Sequence, residues 1–208
     1  MLSDVAAAGA MAALLLGGFT ADTAVEQAAS KMPAVSSVSV VSTNGTGCAR
    51  GAAASGKAAT VKGPNAFTIA LPTMSVRTGG SAKIIDRNKF CQFSVKITVP
   101  RGYTYTLAEA RYSGTTKLPQ GAFGTARFSY YWTGQSNTST HSTRINSSEW
   151  QIAETEAKTF EQLGWAPCGE SANLNLKTEL SVQRGKTGSV TLGGQKDPAE
   201  YRLIIKKC

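Results

Sequence analysis

Histidine occurs once in this chain, as His141, and that scarcity narrows the chemistry at once. A serine hydrolase would have to use His141 as its base, yet it lies in "SNTSTHSTR", a polar run that reads as a surface loop, and no GxSxG elbow is present. Closely spaced cysteines are also lacking. Cys48, Cys91, Cys168 and Cys208 include no CxxC pair, whereas structural zinc sites bring their ligands in tight pairs. No metal or cofactor is therefore expected. Beyond residue 24, a stripe of apolar residues at helical spacing is missing as well, so helix should be minor. The run Val5–Phe19, "VAAAGAMAALLLGGF", falls short of the ~20 residues that cross a bilayer.

What that run does fit is the apolar core of a signal peptide, followed by small residues. The usual basic start is absent, since Asp4 is the only charge before it. Cleavage is expected after Ala24, or as late as Ser30. Removing residues 1–24 deletes Asp4 and Asp22 and no basic residue, which raises the formal net charge from +9 to +11. Such a charge favours anionic surfaces, a wall polymer or an acidic partner. The basic residues are scattered, without the clustering among aromatics that nucleic acid would demand. No nucleic-acid partner is expected, and no membrane contact once the leader is gone.

Four cysteines in an exported chain read as two disulfides. They allow three pairings, among which composition does not choose. Cys208 ends "EYRLIIKKC", an apparent terminal strand, where a bridge would tie down a segment that otherwise frays.

The strand signals are direct. In "FCQFSVKITV", Cys91, Phe93, Val95, Ile97 and Val99 alternate with polar residues, a period of two that buries one face. "NLNLKTELSV" repeats the pattern through Leu174, Leu176, Leu180 and Val182. "AFTIALPTMSV", "YTYTLAEARYSG", "ARFSYYWTG", "GSVTLG" and "EYRLIIKK" read as further strands. Val35–Thr43 reads as the first strand and Ala58–Lys62 as a weak one. The fold expected is all-β, a single antiparallel β-sandwich of jelly-roll type over residues 35–208, with residues 25–34 as a flexible tail.

"NGTGCARG", "NKFCQFSVKITVPRGYTYT", "YWTGQS", "WAPCG…ANLNLKTEL" and the closing "KKC" stand in an order that resembles the secreted family catalogued as domain of unknown function 4360, found in filamentous bacteria and fungi. The resemblance runs from about Asn44 to Cys208. It implies a small exported β-rich protein and the pairing Cys48–Cys91 with Cys168–Cys208. It implies no activity and supplies no catalytic residues.

Two surfaces draw attention as binding candidates. In "FSYYWTGQSN", Tyr130 and Trp132 point one way along a strand and Tyr131 the other. Tyr130 and Trp132 either fill the core, as Trp150 and Trp165 are expected to do, or stack on a sugar. In "AVEQAASKMPAVSSVSVVST", Val35, Val38 and Val40 are apolar among serines, and an extended segment of this kind can add to a partner's sheet edge or lie in its cleft. Lys31 would suit the basic-specific cleft of a trypsin-like partner. The alternative is a tail that shields its own sheet. The carboxylates sit in turn-like or strand-edge contexts, and no glycosidase pair stands out. The expectation is a secreted, non-catalytic binding protein, an adaptor in an exported, toxin-like multi-protein complex that docks partly through its N-terminal segment. The alternative is a carbohydrate-binding module associated with the cell wall, and a hydrolase is the third reading.

Overall fold

The computed structural model describes residues 33–48, 59–155, 163–168, 173–183, 187–193 and 198–208. Its strands are β1 (Ser37–Asn44), β2 (Ala59–Gly63), β3 (Ala66–Ile69), β4 (Met74–Thr78), β5 (Asn88–Thr98), β6 (Tyr103–Lys117), β7 (Gly124–Trp132), β8 (Thr138–Ile145), β9 (Glu149–Thr155), β10 (Asn173–Val182), β11 (Gly188–Leu192) and β12 (Ala199–Lys207). A 3₁₀ turn covers Ile84–Arg87.

All pairings are antiparallel. One sheet has the order β1-β5-β10-β7-β8. The other runs β2-β3-β12-β6-β11-β4, with β9 also paired to β6. The long β6 therefore serves as the spine of the seven-stranded sheet. Two departures from the sequence reading follow. "AFTIALPTMSV" is not one strand: Pro72 interrupts it, because proline cannot donate to a ladder, and β3 and β4 take places far apart in the sheet. The segment around His141 is strand β8, not a loop.

The alternation predicted for β5 and β10 places Cys91, Phe93, Val95 and Ile97, and Leu174, Leu176, Leu180 and Val182, in the core. Aromatic side chains join the two sheets. Tyr105 meets Trp132 edge-on with centroids 5.4 Å apart, and Tyr112 stacks on Phe128 at 3.9 Å. Tyr201 continues the chain of rings, edge-on to Tyr112 at 5.9 Å and stacked with Phe67 at 5.0 Å. Buried phenols need partners. Tyr112 and Tyr130 share a hydrogen bond of 3.0 Å between hydroxyls, and the Tyr105 hydroxyl donates to the Ile97 carbonyl at 3.2 Å. Trp150 packs over Gly114 so closely that a Cβ there would collide with its ring and with the Thr191 carbonyl.

The disulfides are Cys48–Cys91 and Cys168–Cys208, with Cα–Cα distances of 4.9 and 6.0 Å. The second spans β6. The Cys208 amide donates to the Gly102 carbonyl at 2.9 Å on one side. On the other side, the segment leading to Cys168 covers the strand: the Ala166 amide donates to the Tyr105 carbonyl at 2.9 Å, and the hydroxyls of Thr104 and Thr106 donate to the carbonyls of Ala166 and Gly164. Trp165 in that segment is 37% exposed, not core, and the Lys206 ammonium sits 3.6 Å from its ring centre.

Candidate functional site

The alternation that buries one face of the five-stranded sheet leaves the opposite face to solvent. Cross-strand register assembles that face into rows. One row carries Tyr131, Asn175 and Ser94; the next carries Ser129, Lys177 and Gln92; a third carries Arg127, Glu179 and Phe90. Small residues sit at the centre, where Ser94, Ser129 and Asn175 are covered by larger neighbours. The result is a shallow polar trough with an aromatic side chain near each end. Strand spacing and rise place Tyr131 and Phe90 about 16 Å apart, a span suited to a short oligomer.

The polar groups of this trough are held in place. The Asn175 amide donates to Thr133 Oγ1 at 2.8 Å, and Gln92 Nε2 donates to Asn175 Oδ1 at 3.4 Å. Asn175 is thereby fixed from both ends of its amide, and the Gln92 oxygen is left as an acceptor. The hydroxyls of Ser129 and Thr140 pair at 3.2 Å. Glu179 bridges two cations, with Lys177 at 3.0 Å and Arg127 at 3.9 Å. Lys177 also lies 5.2 Å from the centre of the Phe90 ring. Lys96 and Arg144 extend the same face, and the Arg144 guanidinium stacks 3.5 Å above Phe123. Four cations against one carboxylate leave a surplus of positive charge across a surface of amides and hydroxyls. Such a surface can hold an anionic, hydroxyl-bearing chain by hydrogen bonds and stacking.

The candidates offered by the sequence have these places. Tyr130 and Trp132 are fully buried, with the Trp132 ring nitrogen directed at the Gly164 carbonyl at 3.5 Å, so neither ring face is open to a sugar. Tyr131, between them, is the residue that faces outward. Val35 is buried, and its amide donates to the Pro64 carbonyl at 2.6 Å. Val38 and Val40 are half-buried against the core. Those three side chains thus serve the protein's own sandwich, because β1 pairs with β5. Lys31 lies outside the described residues. His141 occupies an inward position of β8 opposite Phe128.

The other sheet has its own outer groove, about 450 Å³, lined in part by Arg111, Ser113, Gln151 and Glu200. In the adjoining groove, about 230 Å³ and sharing Arg111 and Glu200 with the first, Glu109 accepts a hydrogen bond from Arg111 at 2.6 Å and faces Arg202 at 3.7 Å. This cluster satisfies its own charges more fully than the trough does. Among the described residues no cluster of histidine, cysteine, aspartate and glutamate could hold a metal ion, and no helix is long and apolar enough to cross a membrane.

Sequence reasoning passed over Tyr131, Gln92, Asn175 and Lys177 as a group. The signal was present in "NLNLKTEL", whose off-face residues Asn173, Asn175, Lys177 and Glu179 are the polar half of an alternating strand.

Comparison with known proteins agrees with the resemblance drawn from the motifs. The family described as Domain of unknown function (DUF4360) matches residues 34–208, and the chain belongs to it. An uncharacterized secreted protein of Arthroderma benhamiae is 25% identical over 118 residues, covering 56% of this chain and 48% of its own length. The chain therefore matches about half of that relative. Among solved structures, TmCBM61 in complex with β-1,4-galactotriose aligns over 83% of this chain and 88% of its own, at 7% identity and a TM-score of 0.28.

Proposed function

We propose that this member of the family is a secreted, non-catalytic binding protein that holds an anionic, hydroxyl-rich polymer of a cell surface on the outer face of its five-stranded sheet. Secretion is supported by the apolar Val5–Phe19 segment, by two disulfides and by the secreted relative. The observation that carries the binding reading is the trough itself. Tyr131 and Phe90 face outward at its two ends, a fixed amide pair lies between them, and Lys96, Arg127, Lys177 and Arg144 outnumber Glu179.

The test is affinity electrophoresis in gels containing polygalacturonate, dextran sulfate or neutral galactan. Retardation by the acidic polymers, weakened by salt, is expected. Tyr131→Ala should lower affinity about tenfold, and the pair Arg127→Gln with Lys177→Gln should flatten the salt dependence. Equal mobility of wild type in all gels defeats the proposal.

A second reading, the protein adaptor, rests on the place of β1. It is an edge strand of its sheet and begins at Ser37, two residues beyond residues 25–34, with Val41 52% exposed. In that reading the segment around Lys31, not the valines of β1, enters the partner. Deletion of residues 25–32 should then abolish co-purification with secreted proteins while polymer binding persists. Unchanged co-purification removes the adaptor reading.

A further inference from the structure

The 3₁₀ turn between β4 and β5 carries an anomaly that neither the core nor the trough explains. Ile84 and Ile85 are adjacent and are 75% and 64% exposed. Isolated exposed apolar residues are ordinary. Two neighbouring isoleucines at the tip of a fixed turn form a patch that folding leaves unused.

The turn holds them out. Asp86 Oδ2 accepts from the Lys83 amide at 3.0 Å, from Arg77 Nη2 at 3.1 Å and from Arg77 Nε at 3.3 Å. These bonds tie the turn to β4, and Arg77 neutralises Asp86. Lys83, Arg87 and Lys89 remain, flanking the isoleucines on both sides in "KIIDRNK". Among the described residues none of those three pairs with a carboxylate within 4.0 Å, although Lys89 adds to the attraction that holds the Asp86 carboxyl low.

We propose that this turn is a reversible anchor for an anionic lipid surface. Ile84 and Ile85 enter the boundary between headgroups and acyl chains, and Lys83, Arg87 and Lys89 lie against the lipid phosphates. Apolar insertion and basic attraction are the two signals that together hold a peripheral protein. The charge arrangement selects this occupant. A bilayer offers negative charge all around an apolar interior, matching cations on both sides of the pair. A second copy of the chain would present the same cations and be repelled. The inference departs from the expectation of no membrane contact, which rested on the absence of a spanning segment. It does not rest on the polymer-binding reading, although Lys89 borders the Phe90 end of that face.

The experiment uses the purified, disulfide-bonded protein in sedimentation with vesicles of equal parts phosphatidylglycerol and phosphatidylcholine, against vesicles of phosphatidylcholine alone. Binding to the anionic vesicles is expected to be at least about tenfold tighter. Ile84→Ser with Ile85→Ser, which leaves every charge in place, should lose about tenfold or more. Replacing Lys83, Arg87 and Lys89 by Gln together should lose about a hundredfold. Tyr131→Ala should bind vesicles like wild type, which separates this site from the trough. Ile84→Trp supplies a second readout, a blue shift of emission on adding anionic vesicles. Wild type without preference for anionic vesicles overturns the proposal. So does a serine double variant, with its melting temperature intact, that binds as well as wild type, because the attraction would then be general charge.

Discussion

Replacing Cys168 and Cys208 together by serine tests how the structure is held at its most elaborate junction. The bridge spans 40 residues of sequence. In the chain-entropy account, closing a loop of that size limits the unfolded chain by about 4 kcal/mol at 25 °C. A domain of this size commonly has ~5–15 kcal/mol of stability in all, so the loss would be a large share. At roughly 2–4 °C per kcal/mol for a chain of this length, the midpoint should fall by about 8–16 °C. The native contacts around the bridge do not depend on it alone. The Ala166 amide and carbonyl both bond to β6, and β12 lies between β3 and β6. The variant should therefore remain folded in water, with an unchanged far-ultraviolet spectrum, and show its deficit in urea titration. The slope of that titration should rise, since the unfolded chain is less compact without the cross-link. A loss below about 1 kcal/mol would refute the reasoning, because the bridge would then constrain nothing that the strands do not already fix. Loss of folding altogether would refute it from the other side, by showing that the strand contacts around β6 are too weak to stand alone.

Other outcomes follow from the core. Gly114→Ala should cost about 1–3 kcal/mol or more by urea titration, since a Cβ there strikes the Trp150 ring and the Thr191 carbonyl. Gly63→Ala, where a Cβ meets nothing within 4 Å, should stay within about 0.5 kcal/mol. Trp132→Ala should lose about 3–5 kcal/mol while leaving polymer retardation unchanged at temperatures where it is folded, because the ring is core. Burial raises the Tyr105 phenol above its ordinary pKa of 10.0. The unfolded chain releases that proton first as the solution becomes alkaline, so stability is full below pH 10 and declines above it. Tyr105→Phe, followed by melting temperature against pH, should flatten part of that decline, and an identical alkaline profile would show that Tyr105 is not its source.

Where a strand keeps its apolar residues on one side, the sequence is easily read. β5 and β10 lie inside their sheet, so their inward positions meet the core and are apolar, except Thr178 and, at the end of β5, Lys89. β8 escapes this reading because it is an edge strand. Its inward positions are Ser139, His141, Thr143 and Ile145, of which Ser139 and Ile145 are buried. A strand at the rim can afford polar residues where a central one cannot. Trp165 misled for a related reason. Size suggests the interior, but Lys206 covers its ring from outside, and that neighbour lies 41 residues away in the chain. The alternation of Tyr130, Tyr131 and Trp132 was plain, and the opposed directions of their side chains follow from it. Which direction was outward depended on the second sheet, whose position no local pattern contains. The trough is harder still, because it gathers single residues from β5, β7 and β10 that become neighbours only through register.

The position of β12 has a consequence for how the molecule is made. It is the latest of the described strands in the chain, yet it lies between β3 and β6. Until residues 199–207 are present, the seven-stranded sheet is split into two pieces with a gap where its longest ladder belongs. A nascent chain emerging from the amino end could assemble fragments but not close the sandwich. The same strand leads into Cys208, so the residues that fill the gap also bring that thiol to Cys168.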